Sequence, residues 1–169
     1  MMGRVSAWAG AVAAVAVVAL VEGCGGGAGL RPGTYRGPNE LRYALTSPAQ
    51  QEMPVERHRG TAEVIAAQGD LLTLRLTMFE GGDHCDLSVR RLGGDEDRHE
   101  VVPGQECASR FAFDGTPVAA VVAIDEGSAA YVDGTLRIEL SGRFVADRGT
   151  PVGTVRLQGI ARWSFEGRR

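Results

Sequence analysis

Apolar and polar residues alternate with a period of two through much of the chain. The alternation is clearest in residues 72–78, 136–144 and 155–166, where leucine, isoleucine and aromatic residues take turns with arginine, glutamate and serine. Successive side chains of a β-strand point to opposite faces of a sheet, so this period predicts strands with one buried and one solvated face. In the last segment, the predicted buried face carries Val155, Leu157, Ala161, Trp163 and Phe165.

Shorter segments show the same alternation less regularly and predict further strands. They are residues 34–36, 41–45, 61–67, 85–91, 109–113 and 118–124. Glycine-rich or acidic clusters between them predict turns, including residues 93–97 and the region of Asp125-Glu126. The stretch from Thr46 to Arg59 contains two prolines and predicts a loop with at most one helical turn.

About eight or nine strands joined by short turns predict an all-β fold, an antiparallel meander. Gly142 and Gly159 fall on core-facing positions of long strands, where a closed sheet commonly bends, so a small barrel, lipocalin-like in shape, is favoured over a sandwich. The opening Gly33-Thr34-Tyr35 is similar to the Gly-x-Trp start of lipocalins, but three residues do not carry a ligand assignment.

The first residues have the organisation of a signal peptide. Arg4 precedes an uncharged run, residues 5–21, built almost wholly from alanine and valine. Glu22 ends the run before it reaches the roughly 20 apolar residues that a membrane-spanning helix needs. We therefore expect residues 1–23 to be removed.

The end of this segment, Val21-Glu22-Gly23-Cys24, resembles the lipobox of bacterial lipoproteins. The resemblance implies that Cys24 is acylated by fatty chains such as palmitate and that the protein is anchored in the cell envelope. Glu22 stands where that family has a small uncharged residue, which puts efficient processing in question. A plain secretory peptide, cleaved elsewhere, is the alternative. Gly25, in place of the aspartate that retains lipoproteins in the inner membrane, indicates the outer membrane.

Composition limits the possible functions of the remaining chain. Residues 24–32 are expected to form the acylated cysteine and a flexible tether, and residues 33–169 a single β-rich domain. The formal net charge is −3 and there is no basic block, so nucleic acid is not an expected partner. All 18 basic residues are arginine, which excludes Schiff-base chemistry and a lysine general base.

Cys85 and Cys107 are the two cysteines that remain once Cys24 is assigned to lipid. In an oxidising compartment such a pair predicts a disulfide. A hairpin folded at residues 93–97 would place the two cysteines directly opposite each other. Pro103 and Gly104 predict that the second arm of this hairpin is irregular.

No constellation of residues specifies a reaction, a cofactor or a metal. Asp83-His84-Cys85-Asp86 could form a metal site together with His99 and Cys107, but a disulfide and surface charges explain these residues more simply. In the predicted hairpin, His99 faces Gly93, far from His84. The acids of residues 95–97 and of Asp125-Glu126 are expected to be solvated turn residues, and so is His58 in its loop.

The aromatic residues could line a ligand cavity, but are expected to fill a packed core. They are Tyr35, Tyr43, Phe111, Phe113, Phe144, Trp163 and Phe165. The sequence therefore predicts a membrane-anchored envelope lipoprotein with a non-catalytic binding or structural domain, whose partner is an apolar molecule or another envelope component. The alternative is an envelope enzyme or metal-handling protein that uses His84 and nearby acids.

Overall fold

The computed structural model describes residues 30–65, 70–77, 84–93 and 98–169, and within these residues the chain forms strands and no helices. This confirms the predicted all-β fold. The strands are β1 (Gly33–Ser47), β2 (Gln51–Glu52), β3 (Glu56–Ile65), β4 (Leu71–Thr77), β5 (His84–Arg91), β6 (Arg98–Val101), β7 (Gln105–Phe113), β8 (Thr116–Val132), β9 (Thr135–Thr150) and β10 (Gly153–Gly167). The described chain accordingly offers no helix that could span a membrane.

All ten strands belong to one antiparallel sheet. The order along the sheet is β10-β9-β8-β6-β5-β4-β3-β1-β2, and β7 continues beyond β6 along the same edge of β8. Pairing of β10 with β1 closes the sheet into a ring. The meander of sequential strands is confirmed, with ten strands where eight or nine were predicted.

The first third of the chain contains more strand than the sequence predicted. The two short strands expected at residues 34–36 and 41–45 are one strand, β1, which passes through Pro38. Proline has no N–H to donate, and Pro38 lies where the β1–β10 ladder is interrupted between Arg36 and Asn39. The loop predicted from Thr46 to Arg59 is also shorter, because β3 already begins at Glu56.

Asp125-Glu126 was predicted to lie in a turn, and this prediction is wrong. The pair lies inside β8, where the register against β9 shifts between Ile124 and Glu126. A bulge adds an unpaired residue to one strand and bends it, so acidic residues that resemble a turn in the sequence are accommodated within a long strand.

Side chains fill the interior of the ring. The expected role of the aromatic residues is confirmed: all except half-buried Phe113 are buried. Tyr43 packs edge-to-face on Phe144 with ring centroids 5.5 Å apart, and its hydroxyl shares a 2.6 Å hydrogen bond with Ser109. Burial raises the pKa of Tyr43 to about 12.

Val155 was predicted to face the core, but it is 36% exposed, and the buried face of β10 begins at Leu157.

Gly142 and Gly159 lie on the inner face of β9 and β10, as predicted, and both are buried. A Cβ atom on Gly142 would collide with the carbonyl oxygen of Ala123 on β8, and one on Gly159 with the carbonyl oxygen of Ala44 on β1. Neighbouring backbones approach so closely at these two points that only glycine fits.

Residues 30–32, which precede the predicted domain start at Gly33, contact the domain. Leu30 is buried in the core. The hydroxyl of Tyr35 donates to the carbonyl oxygen of Arg31 at 2.9 Å, and the guanidinium of Arg169 donates to that of Pro32. The predicted signal peptide and Cys24 lie outside the described residues.

Candidate binding groove

Cys85 on β5 and Cys107 on β7 form the predicted pair. Their sulfur atoms lie at disulfide-bonding distance, and their Cα atoms are 5.3 Å apart. Both cysteines are buried. The bridge therefore belongs to the core and is not available as a thiolate ligand or nucleophile.

The register predicted for this bridge is wrong. Val89 pairs with Val101, so the hairpin is shifted by two residues from the one that would set the cysteines opposite each other. The second arm is interrupted at Pro103 and Gly104, as predicted, and divides into β6 and β7. β7 then leaves β5 and pairs with β8. The disulfide thus joins two strands that do not pair with each other.

The side chain of Gln105 also connects β5 and β7. Its Oε1 accepts from the backbone N–H of Ser88 at 2.7 Å. Its Nε2 donates to the carbonyl oxygens of Ser88 at 3.0 Å and Val102 at 2.6 Å. This amide completes backbone hydrogen bonding at the point where the two strands separate.

The residues of the metal-site alternative do not converge. His84 is exposed opposite Thr77, whereas His99 is buried opposite Arg91 and not Gly93. The separation of seven residues along β5 corresponds to roughly 23 Å. Over the described ranges, no three histidine, cysteine or acidic side chains are grouped to hold a metal ion. Asp83 and residues 95–97 lie outside the described residues.

The inner and outer faces of the sheet differ in the space they leave for a ligand. A cavity among the core residues beside Tyr43 and Trp163 has a volume of about 20 Å³, which is room for about one water molecule. On the outer face, a groove of about 720 Å³ runs across β1, β10, β9, β8 and β6. Its size lies in the usual range of ligand sites.

Glutamate and serine alternate across this groove. Its central row, one residue from each of five neighbouring strands, consists of Glu40, Ser164, Glu139, Ser128 and Glu100. The row beside it consists of Arg42, Arg162, Ser141 and Glu126. Four carboxylates, two guanidinium groups and three hydroxyls therefore line one surface.

The charges of the groove are only partly neutralised. Glu40 accepts hydrogen bonds from Nε of Arg42 at 2.6 Å and Nε of Arg57 at 2.9 Å, and these bonds hold its pKa below the ordinary value. For Glu100, Glu126 and Glu139, by contrast, there is no salt bridge to any side chain in the described part of the chain.

Three aspartates elsewhere on the outer surface of the strands have arginine partners across the sheet. Asp86 is bound to Arg75 at 2.8 Å, Asp125 to Arg143 at 2.7 Å, and Asp147 to Arg156 at 3.0 Å. In each case the hydrogen bond from arginine lowers the pKa of the aspartate. In the groove, Glu100, Glu126 and Glu139 each have serine opposite them on a neighbouring strand. Glu100 also lies opposite Arg90 on β5, but none of the three carboxylates forms a salt bridge within the described residues.

Trp163 lies in the sheet beneath the groove and lines both the groove and the small cavity. It is 5% exposed. Its indole Nε1 has no hydrogen-bond partner among the residues that the structure describes. Buried tryptophan usually satisfies this N–H, so the indole of Trp163 is an unusual feature of the core beneath the groove.

Sequence reasoning did not find this groove. Each of its polar residues matches the ordinary pattern of a solvated strand face, and the row is assembled from strands far apart in the chain. The unusual signal, glutamate opposite serine, appears only once the register is known. Comparison of the chain with protein-family models and with curated proteins gives no match.

Proposed function

We propose that this protein is a lipid-anchored lipoprotein of the bacterial cell envelope whose β-domain is a non-catalytic binding module, with the outer groove as its binding site. The observation that carries the proposal is the contrast between a core filled by side chains and an outer groove of about 720 Å³. Of the possible partners, a polar envelope component suits this groove better than an apolar molecule held inside the ring.

The chemistry of the groove supports binding more than catalysis. Ser128, Ser141 and Ser164 have carboxylates as neighbours, and the groove lining contains no histidine to act as their base. His84, on which the enzymatic or metal-handling alternative depends, lies on β5 beside Asp86, and that carboxylate is already bound by Arg75.

The proposed location in the cell envelope rests on the signal segment. Residues 1–23 and Cys24 have the organisation of a lipoprotein start, and Gly25 favours the outer membrane. Leu30, six residues after Cys24, is already buried in the core. Durable anchoring requires more than one acyl chain, which acylated lipoprotein cysteines carry.

The decisive experiment is the intact mass of the protein extracted from bacterial membranes, compared with a Cys24→Ser variant. We expect a mature chain that begins at Cys24 and carries acyl mass, and a variant that lacks this mass and leaves the membrane fraction. Reduction and alkylation should add label at Cys85 and Cys107 only after reduction. A wild-type chain without acyl mass would refute the anchor.

A further inference from the structure

We propose that the groove binds an extended, lysine-bearing peptide segment of a partner protein. The proposal deepens the function proposed above, because it takes the groove as the binding site and names its ligand. It does not depend on the lipid anchor.

The charge of the groove favours a cationic ligand. Four glutamates face two arginines across it, and Glu40 is already bound by Arg42 and Arg57. Glu100, Glu126 and Glu139 therefore remain as carboxylates that a ligand can neutralise. Each is directly opposite a serine on a neighbouring strand, and a lysine ammonium, with three donors, can bond to a carboxylate and a hydroxyl at once.

The spacing of the carboxylates favours an extended peptide. Glu139 and Glu100 occupy the same row two strands apart, and strands in a sheet lie about 4.8 Å apart, so the two positions are separated by roughly 10 Å. A polyproline II segment repeats its side-chain direction every three residues, over about 9.3 Å. Lysines three positions apart in such a segment would match the two glutamates.

The remaining donors of the groove suit the backbone of such a segment. A polyproline II chain has no internal hydrogen bonds, so its carbonyl oxygens are free to accept. Ser128, Ser141 and Ser164 supply hydroxyl donors along the groove. A small polyamine would neutralise the glutamates but would leave these donors unused, which is the difference that an experiment can detect.

Tryptophan fluorescence provides the measurement. The chain has two tryptophans, and the expected removal of residues 1–23 takes away Trp8, so that the emission of the mature protein comes from Trp163. The mature protein, purified from membranes in detergent, would be titrated with a peptide of about ten residues built from Pro-Pro-Lys repeats while the emission of Trp163 is followed. The same peptide with acetylated lysines, the same peptide with glutamate in place of lysine, and spermidine would be titrated in parallel.

We expect saturable binding of the lysine peptide that weakens as salt is added. Glu139→Gln should weaken it about threefold, and Glu126→Gln together with Glu139→Gln about tenfold. The matched control is Glu166→Gln, since Glu166 is also exposed on a strand but is paired with Arg137 outside the groove. This variant should bind as the wild type does.

Three results would overturn the proposal: equal binding of the acetylated peptide, unchanged binding by the Glu139→Gln variant, or spermidine binding as tight as that of the lysine peptide. The intact mass of the same preparation tests the lipid anchor independently of the ligand. Acylated protein that does not bind the lysine peptide refutes the ligand and leaves the anchor, whereas unacylated protein that binds it refutes the anchor and leaves the ligand.

Discussion

The two sides of the ring are built differently. One side consists of the long strands β8, β9, β10 and β1, of 15 to 17 residues each, which pair with one another along most of their length. The other side consists of β3 to β7, of 4 to 10 residues each. There β5 and β7 separate, and the Cys85–Cys107 bridge and Gln105 join them.

The two sides differ in what holds their strands together. On the long side, continuous ladders and close backbone approach at Gly142 and Gly159 hold the shape, so the outer residues are free to carry uncompensated charge. On the short side, a covalent bond and the Gln105 amide connect β5 and β7, which do not pair with each other. Substitutions on the short side should therefore cost stability, and substitutions of groove residues should not.

The largest expected effect is on the short side. Replacing both Cys85 and Cys107 by alanine releases a constraint between residues 22 apart in the chain, and should lower the free energy of unfolding by about 3 kcal/mol. Urea denaturation of the double variant, with reduced wild-type protein as a parallel sample, measures this loss. If reduction leaves the midpoint unchanged, the bridge does not hold the short side together.

The next effect tests the long side. Gly142→Ala forces a Cβ atom against the backbone of Ala123 and should cost about 2 kcal/mol. Gly149→Ala is the control on the same strand, because a Cβ atom there meets nothing within 4 Å. Thermal melting of the two variants should separate them by several degrees. Equal melting temperatures would show that close backbone approach does not fix the long side.

A smaller loss is expected from Gln105→Ala. This change removes three hydrogen bonds and leaves the backbone N–H of Ser88 without its acceptor, at a cost of about 1 to 2 kcal/mol. The neighbouring Glu106→Ala, at an exposed position of β7, should have little effect. Amide hydrogen exchange at Ser88 should accelerate in the first variant alone; unchanged protection there would contradict the assigned role of the amide.

The smallest effect distinguishes paired from unpaired acids. Asp86→Asn breaks a bidentate pair with Arg75 and should cost a few tenths to about 1 kcal/mol, because both side chains are more than 40% exposed and screened by water. Glu139→Gln should cost nothing, since it removes a carboxylate without an arginine partner. Chemical denaturation at neutral pH measures the free energy of unfolding of both variants. Equal losses would contradict the assignment of Asp86 as paired and Glu139 as unpaired.

The same pair predicts a pH dependence. Hydrogen bonding to Arg75 lowers the pKa of Asp86 below its ordinary value of 3.8. The stabilisation is therefore complete well above pH 3.8 and is lost as the pH falls through the lowered pKa of the folded protein. The stability difference between wild type and Asp86→Asn should vanish in that acid range.

Local pattern was sufficient to predict the strands, the core and the cysteine pair. Period-two alternation identified the buried faces of β9 and β10, and it placed Gly142 and Gly159 on core-facing positions. These features depend on residues near one another in the chain, where strand geometry leaves few choices.

Register and continuity could not be predicted in the same way. The two-residue shift between β5 and β6, the bulge beside Asp125, and the passage of β1 through Pro38 are decided by neighbours distant in sequence. The row from Glu40 to Glu100 depends on four separate strand pairings. An error of one residue in any of them would move the side chains of that strand to the opposite face of the sheet. The candidate site therefore could not be predicted before the pairing of the strands was known.

If Cys24 carries lipid, as we propose, burial of Leu30 limits how far the domain can lie from the membrane. With lipid on Cys24, the chain between that residue and Leu30 extends at most about 20 Å. The domain would remain in a thin layer beside the bilayer and would move with its anchor in two dimensions. A partner held in the same membrane would meet the groove at a far higher effective concentration than one free in solution.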